Sequence, residues 1–508
     1  MKGLIFLGII FIFNILTSLA HAGVSGDNYP YFFVNDSKQS GVKNEIQILH
    51  SGIASFQKRI DLIKKAKKRI SIEYFIWEKD KAGLLLFHEL IKRAKEGIDI
   101  RIILDKSITV IELDEFFAEA VNKYGIDLRH YNRGLDPSTA QFRTHRKILV
   151  IDGVEGITGG RNIGDDYFDF DEEYNFTDRD IYIAGPAAKA MQDSFDAFWN
   201  DSIVKKSRIL NVNPGSNRLN RRSHDRERYN NHKQEVLDRL RSEASEWIES
   251  HESMEEVSQS MEKIARPILQ KNPILECPKV TYVSDKPGAN FFTRLGVKRY
   301  KKNFRFTRNV LFDFMKNKTE DFLYLASPYF MLNKAWQEAL SEVMRRGVKV
   351  KLFTNSLGST DAFYVAANFY RIIFKWQEAG LVPFIHNSQF DDIDPVLNEK
   401  VANTRWGMHE KTQVYNNNTF YIGTYNIDNR SDFYNVEMGL FCEGSSDLTK
   451  NLLDDMNVRS HNGYVITGKD KAETSEGKPA DVYGNATEKL LKIMKAFTLP
   501  ALLLEPLM

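Results

Sequence analysis

The sequence predicts an α/β fold of two similar βαβ-built halves with mixed, mostly parallel sheets, packed about a pseudo-twofold axis. Three observations predict it. Strand-like and helix-like periodicities alternate through residues 61–105 and again through residues 320–355. The segments AKEGIDIRIILD and MRRGVKVKLFTN match position for position. One short constellation of His, Lys, Asn and Gly recurs in each half at the same spacing. Composition permits such a fold: the chain has 508 residues, 42% apolar and 12% aromatic, enough for two or three domains with large cores. Lys and Arg number 70 against 68 Asp and Glu, a net charge of +2, so no global field attracts nucleic acid or an anionic membrane and any anion preference is local. Only Cys277 and Cys442 are present, which excludes a disulfide framework and a thiolate zinc site and leaves one disulfide open.

In chain order, residues 1–22 read as a secretory signal peptide or an N-terminal anchor. Lys2 precedes an apolar run from Leu4 to Leu19, shorter than the roughly 20 residues that span a bilayer, and Ala20-His21-Ala22 suits a signal peptidase. The expectation is an exported protein, periplasmic or secreted, in contact with a membrane only at its periphery. Residues 45–204 form the first expected domain, with a Lys-rich helix, a strand over 69–75, a helix over 81–95, Gly97 as its stop and the strand IDIRIIL. Residues 205–279 form an insert or linker that opens with a basic stretch to residue 233, read as an exposed loop, and continues as acidic helical sequence. Residues 280–465 repeat the first domain with strand DFLYLASPYF, helix LNKAWQEALSEVMRR, Gly347 and strand VKVKLFT. The tail, 466–508, carries an amphipathic helix before Pro500, expected to dock on the protein rather than on a membrane.

The chemistry lies in one segment of each half. THRKILVIDGVEGITGGRN places His145, Lys147, Asp152, Gly159-Gly160 and Asn162; MHEKTQVYNNNTFYIGTYN places His409, Lys411, Asn416, Gly423-Thr424 and Asn426 at the same intervals. The two-residue period of a strand puts each His and Lys on one face, and a hairpin returns each Asn beside its own pair. If the halves pack about a twofold axis, two histidines, two lysines and two asparagines surround one pocket. Such a set suits a phosphodiester: ammonium and amide groups hold the non-bridging oxygens, one imidazole attacks phosphorus and the other protonates the departing oxygen. Metal ligation is disfavoured, since neither copy has His at i and i+4 and the adjacent lysine repels a cation, so no cofactor and no metal are expected. The Gly pair lacks the G-x-G-x-x-G interval of a dinucleotide loop.

These residues resemble the phospholipase D superfamily, whose HxK(x4)D(x6)G(G/S)xN motif the first copy meets in full, while the second departs at Asn416 and Thr424. The acidic place is read as turn-stabilising. The resemblance covers residues 45–200 and 280–445, and the stretches GGRNIGDDYF, YNIDNRSDFYNVEMGL, SPYF and NSLGSTDA look like the cardiolipin synthase type of bacterial member. It implies a phosphohistidine intermediate with His145 as nucleophile and His409 as general acid, then base. It also implies an acid orienting each histidine, with Asp180 and Glu437 at the family's downstream places. Arg161, Asp165, Arg430 and Ser431 are candidates to shape the substrate pocket.

The favoured reading is transfer of a phosphatidyl group from a phospholipid at a membrane surface to an alcohol or to water. The alternatives are an endonuclease of the same superfamily, with nucleic acid disfavoured by the near-zero net charge, and a lipid-binding protein that has lost catalysis, against which both His-Lys pairs are retained. Oligomeric state is not legible in the sequence.

Overall fold

The computed structural model describes residues 28–107, 111–133, 141–206, 209, 223–288, 305–390 and 394–504; the signal segment and most of the basic stretch before residue 223 lie outside them. The first half is built from β2 (Asn44–Leu49), α1 (Gly52–Lys65), β3 (Arg69–Tyr74), α2 (Lys81–Lys95), β4 (Asp99–Asp105), α3 (Glu115–Asn122), β5 (Ile126–Tyr131), β6 (Ile148–Ile151), β7 (Glu155–Gly159), β8 (Tyr174–Thr177), β9 (Asp180–Ala184), α4 (Pro186–Trp199) and β10 (Val204–Lys206), after a leading strand β1 (Phe32–Asp36). Helices α5 (Ser223–Glu249) and α6 (Glu255–Lys271) and strand β11 (Leu275–Cys277) lead to the second half. That half comprises β12 (Lys279–Ser284), α7 (Phe306–Asp313), β13 (Phe322–Ala326), α8 (Lys334–Arg345), β14 (Lys349–Thr354), α9 (Phe363–Glu378), β15 (Val382–Ile385), β16 (Arg405–Met408), β17 (Thr412–Tyr415), β18 (Thr419–Gly423), β19 (Met438–Glu443) and α10 (Ser446–Asn462). Strands β20 (Tyr464–Gly468), β21 (Lys471–Glu473) and β22 (Pro479–Ala480) and helix α11 (Glu488–Leu504) close the chain.

The repeat visible in the sequence is a repeat of local physics. Asp80 caps α2 by accepting from the Gly83 amide, as Asn333 caps α8 by accepting from Ala335 and Trp336. Gly97 and Gly347 follow these helices at φ 88° and 87°, where a side chain would be strained. The two large sheets share one strand order, β2-β9-β7-β6-β3-β4-β5 in the first and β12-β19-β18-β17-β13-β14-β15 in the second. The expected parallel majority is not found. Within the two large sheets parallel pairing is confined to β3-β4-β5 and β13-β14-β15, where crossover helices reverse the chain; β6, β7 and β9 and their counterparts pair antiparallel.

The halves exchange edges. Strand β1 pairs with β12 in the second sheet and β11 pairs with β2 in the first, and Cys277 of β11 is disulfide-bonded to Cys442 of β19. Between the sheets one core is shared. Ile148, Val150, Ile181 and Ile183 meet Val414, Phe420, Ile422 and Leu440, with Met191 of α4 and Leu452 of α10 packed among them. The insert is not a bare linker: Ala244 and Ile248 of α5 and Met261 and Ala265 of α6 belong to the first half's outer core. The basic stretch becomes helical at Ser223, before the expected end of the loop. In the tail, Leu490, Leu491 and Met494 of α11 pack on the second half's outer core. No described helix is long and apolar enough to cross a membrane.

Candidate active site

Two short cross-half pairings bring the repeated segments together. Strand β16 runs parallel to β8, with Met408 opposite Thr177, and Thr144 bridges Val436 in the same parallel sense. Each pairing ends one residue before a histidine on one strand and one residue before a carboxylate on the other. The His145 amide donates to Val436 O at 2.9 Å and the His409 amide donates to Thr177 O at 2.8 Å. The register therefore faces His145 with Glu437 and His409 with Asp178, each across the interface between the halves.

The side chains complete these pairs. His145 Nδ1 lies 3.0 Å from Glu437 Oε2 and His409 Nδ1 lies 2.7 Å from Asp178 Oδ2. A carboxylate on Nδ1 holds the proton there and turns the Nε2 lone pair toward the pocket. Burial lowers the His145 pKa to about 4, against the opposing pull of Glu437. Burial, with Lys411, Lys147 and His145 beside it, holds His409 well below the usual range. Both imidazoles are neutral at neutral pH. Lys147 Nζ donates to His145 O at 3.0 Å, and Lys411 Nζ donates to His409 O. Burial and mutual repulsion lower Lys147 to about 7, and burial lowers Lys411 to about 8. Asn162 and Asn426 are buried, and each keeps an amide oxygen without a hydrogen-bond partner among the described residues. Two buried lysines that repel one another concentrate positive charge here, which suits an anion.

The approach strands are held alike. Asp105, at the end of β4, accepts from the Thr144 amide at 2.8 Å; Asn355, just after β14, accepts from the Met408 amide at 2.8 Å and donates to Met408 O. Asp105 and Asn355 occupy matching places in the two βαβ units. The turn position behaves as expected: Asp152 and Asn416 sit at φ 53° and 58° and their side chains accept backbone amides from the loop before β3 and β13, respectively.

The structure moves some expected residues away from the histidines. Asp180 does not orient His409; its carboxylate accepts from Ser55 at 2.6 Å and pairs with Arg59 and Arg161 at 3.0 and 3.3 Å, and Asp178, two residues earlier, does the orienting. Arg161 does not line the pocket either. It donates to Tyr167 O, Leu49 O, His50 O and Asp178 O, a buried clamp on the backbone that carries Asp178. Asp165 accepts from the Ala82 amide, among carboxylates that with burial raise it to about 6. Ser431 donates to Glu437 Oε1 at 2.8 Å, so it supports the acid rather than reaching substrate space. Arg430 crosses between the halves to Gln141 at 3.0 Å.

Sequence reasoning missed Asp178, because strand pairing is what identifies it. Asp180 lies opposite Gly159 and Gly439 lies opposite Gly423. Aligning on the glycines makes Asp180 the counterpart of Gly439 and Asp178 the counterpart of Glu437. A second feature lies elsewhere: a cavity of about 640 Å³ beside α3 and α5, lined by Lys79, Glu112, Asp114, Phe117, Leu240 and Trp247, shares no residue with this site. Among the described residues no cluster of three or more His, Cys, Asp or Glu is arranged to hold a metal ion.

Comparison with known proteins agrees with the duplication. Residues 60–199 and 314–458 each match the family described as "Cardiolipin synthase, PLD-like domain". Cardiolipin synthase C of Escherichia coli is 28% identical over 429 residues, covering 81% of this chain and 84% of that relative. Cardiolipin synthase 2 of Bacillus anthracis is 34% identical over 161 residues, 31% of each chain. Among solved structures, a phosphatidylserine synthase of Haemophilus influenzae superposes with a TM-score of 0.60 at 17% identity, covering 94% of this chain and 97% of that one, a likeness of fold.

Proposed function

The chain belongs to the cardiolipin synthase, PLD-like domain family, and from that footing we propose that it is a phosphatidyltransferase working through a phosphohistidine. One observation carries the reading: two histidines, each anchored at Nδ1 by a carboxylate of the other half, lie near enough to bear on one another electrostatically, together with two buried lysines. In the first step His145 Nε2 attacks the phosphorus of a phospholipid. A P–N bond forms, the bond to the headgroup oxygen breaks, and that oxygen leaves with a proton from His409. In the second step His409 takes the proton of an incoming alcohol, whose oxygen attacks phosphorus and releases His145. Lys147, Lys411, Asn162 and Asn426 hold the non-bridging oxygens. The negative charge of the substrate phosphate lets His409 carry a proton, against the burial and neighbouring cations that lower its pKa. With a hydroxyl of phosphatidylglycerol as acceptor the product is cardiolipin; with water it is phosphatidic acid.

The protein is further proposed to be exported and to meet its substrate as a peripheral protein at a membrane surface. The Cys277–Cys442 bond and the apolar N-terminal segment support an oxidising location. The test mixes the mature protein with phospholipid vesicles and a primary alcohol. The phosphatidyl-alcohol is the expected product, and His145→Ala and His409→Ala each lower its formation by at least about a thousandfold. Retention of activity in either variant refutes the assignment.

A further inference from the structure

Two segments stand beside the pocket without a role in this chemistry: SPYF after β13 and NSLGSTDA after β14, both at the carboxyl ends of parallel strands, where open α/β sheets receive ligands. The first contributes Tyr329 and the second Asp361. Tyr329 OH donates to the Asp361 carboxylate at 3.1 to 3.2 Å. Asp361 is solvent-exposed, yet the walls around it are close enough for burial to raise its pKa. It does not cap α9, whose N-cap residue is Ala362.

The Tyr329–Asp361 pair is on the His409 side. Asp361 bears electrostatically on Lys411 and on Tyr167, and the Tyr167 ring stands edge-on to the His409 ring, centroids 5.2 Å apart. The loop that carries Asp361 is braced from both halves. Tyr174 OH donates to Ser359 O at 2.7 Å, Arg405 donates to Gly358 O at 3.2 Å and stacks on Tyr174, and Ser359 Oγ donates to Asn355. A carboxylate on a loop braced this firmly near a general acid, with a tyrosine as its one side-chain hydrogen-bond donor among the described residues, has room to accept from something else.

We propose that Asp361 and Tyr329 form a subsite for a polyhydroxyl alcohol, gripping a second hydroxyl of a glycerol-like headgroup while its first hydroxyl reacts at His409. The subsite rests on the transferase reading above. A hydroxyl donates to the carboxylate lone pairs that Tyr329 leaves open. The neighbouring Lys411 and Arg405 disfavour a cationic headgroup in the same place.

The experiment is a competition. Vesicles of phosphatidylglycerol are offered deuterated glycerol and 1-propanol at equal concentration, and the two phosphatidyl products are measured by mass spectrometry. Both products come from one intermediate, so their ratio reports acceptor recognition alone. The wild-type protein favours glycerol, and Asp361→Asn and Tyr329→Phe, which keeps the ring, each lower the glycerol-to-propanol ratio about tenfold, the loss of one hydrogen bond to a charged group. A ratio unchanged in both variants overturns the subsite, and so does a proportional fall of both products, which marks a merely structural role. Absence of both products from the wild-type protein overturns the transferase reading and the subsite with it.

Discussion

The two halves place equivalent backbones around one pocket and finish them with different side chains. In the first, Gly160 lies so close to Asp178 that a Cβ there would be 2.1 Å from Asp178 Oδ1. In the second, the matching residue is Thr424, whose hydroxyl donates to the longer Glu437 at 2.5 Å. A short acid against a bare backbone and a long acid against a hydroxyl both end within hydrogen-bond reach of a histidine. Their electrostatics differ. Burial raises Asp178 despite Lys411 and Arg161, whereas for Glu437 the effect of burial is outweighed by His145, Thr424 and Lys147, and its pKa ends lowered. The difference teaches that the position of an oxygen at each Nδ1 is the constrained quantity, and that residue type and charge balance are free to diverge between the two roles.

Breaking the acids tests this most severely. Asp178→Asn leaves an oxygen and a size match but removes the charge that fixes the histidine tautomer, and activity should fall about a hundredfold with little change in Tm. Asp180→Asn, two residues away, should do the opposite. It strands the buried Arg59 and Arg161 guanidinium groups, costs about 3 to 5 kcal/mol of stability and lowers Tm, while the folded fraction retains turnover. Thermal unfolding and vesicle assays on the two variants decide between the acids; equal activity loss without destabilisation in Asp180→Asn would reinstate it at the histidine.

The lysines sharpen the comparison next. In the proposed reaction their charged forms hold the phosphate, and these forms exist below pKa values lowered to about 7 for Lys147 and about 8 for Lys411. Activity (kcat/KM) should therefore decline as pH rises through 7 to 8, approaching tenfold per pH unit once the first lysine is neutral. An anion in the pocket raises both values. Binding of vanadate near pH 8 should take up protons, seen by calorimetry in buffers of different ionisation enthalpy; proton release would contradict the arrangement.

Repetition made the His, Lys and Asn sets readable, because spacing within a strand-turn-strand segment is a local property. What escaped is set by non-local pairing. The TDRD segment offers Asp178 and Asp180 two residues apart, on the same side of an extended chain, so periodicity alone cannot choose; the register of β9 against β7 does. The antiparallel share of the sheets was missed for a similar reason: alternating βα patterns signal parallel crossovers, while the later hairpin strands carry no sign of which edge they join. The exchange of β1 and β11 between sheets depends on the packing of both halves at once. Arg161 read as a pocket residue from its place beside Asn162, yet buried carbonyls claim its donors.

The smallest expected effect concerns Asp152 and Asn416, where the second copy departs from the motif. Asp152 faces three backbone donors, the amides of Lys67, Lys68 and Arg69, each at 2.8 Å. Asn416 faces two, Glu320 and Asp321 at 3.0 Å, and its amide donates to Lys318 O at 2.9 Å. Three donors suit a carboxylate, and two donors with one carbonyl suit an amide, so the departure follows from the turn each residue braces. Burial raises the Asp152 pKa less than these amides lower it. A depressed carboxyl contributes stability above its unfolded value near 3.8 that is lost as pH falls through the folded value. Asp152→Asn should lower stability by about 1 kcal/mol at pH 7, and the gap to the wild-type protein should close below about pH 4. Asn416→Asp should instead be destabilising across neutral pH, because its carboxylate would point at the Lys318 carbonyl. Unfolding curves for both variants at pH 7 and pH 3.5 measure this, and a gap for Asp152→Asn that widens in acid would refute it.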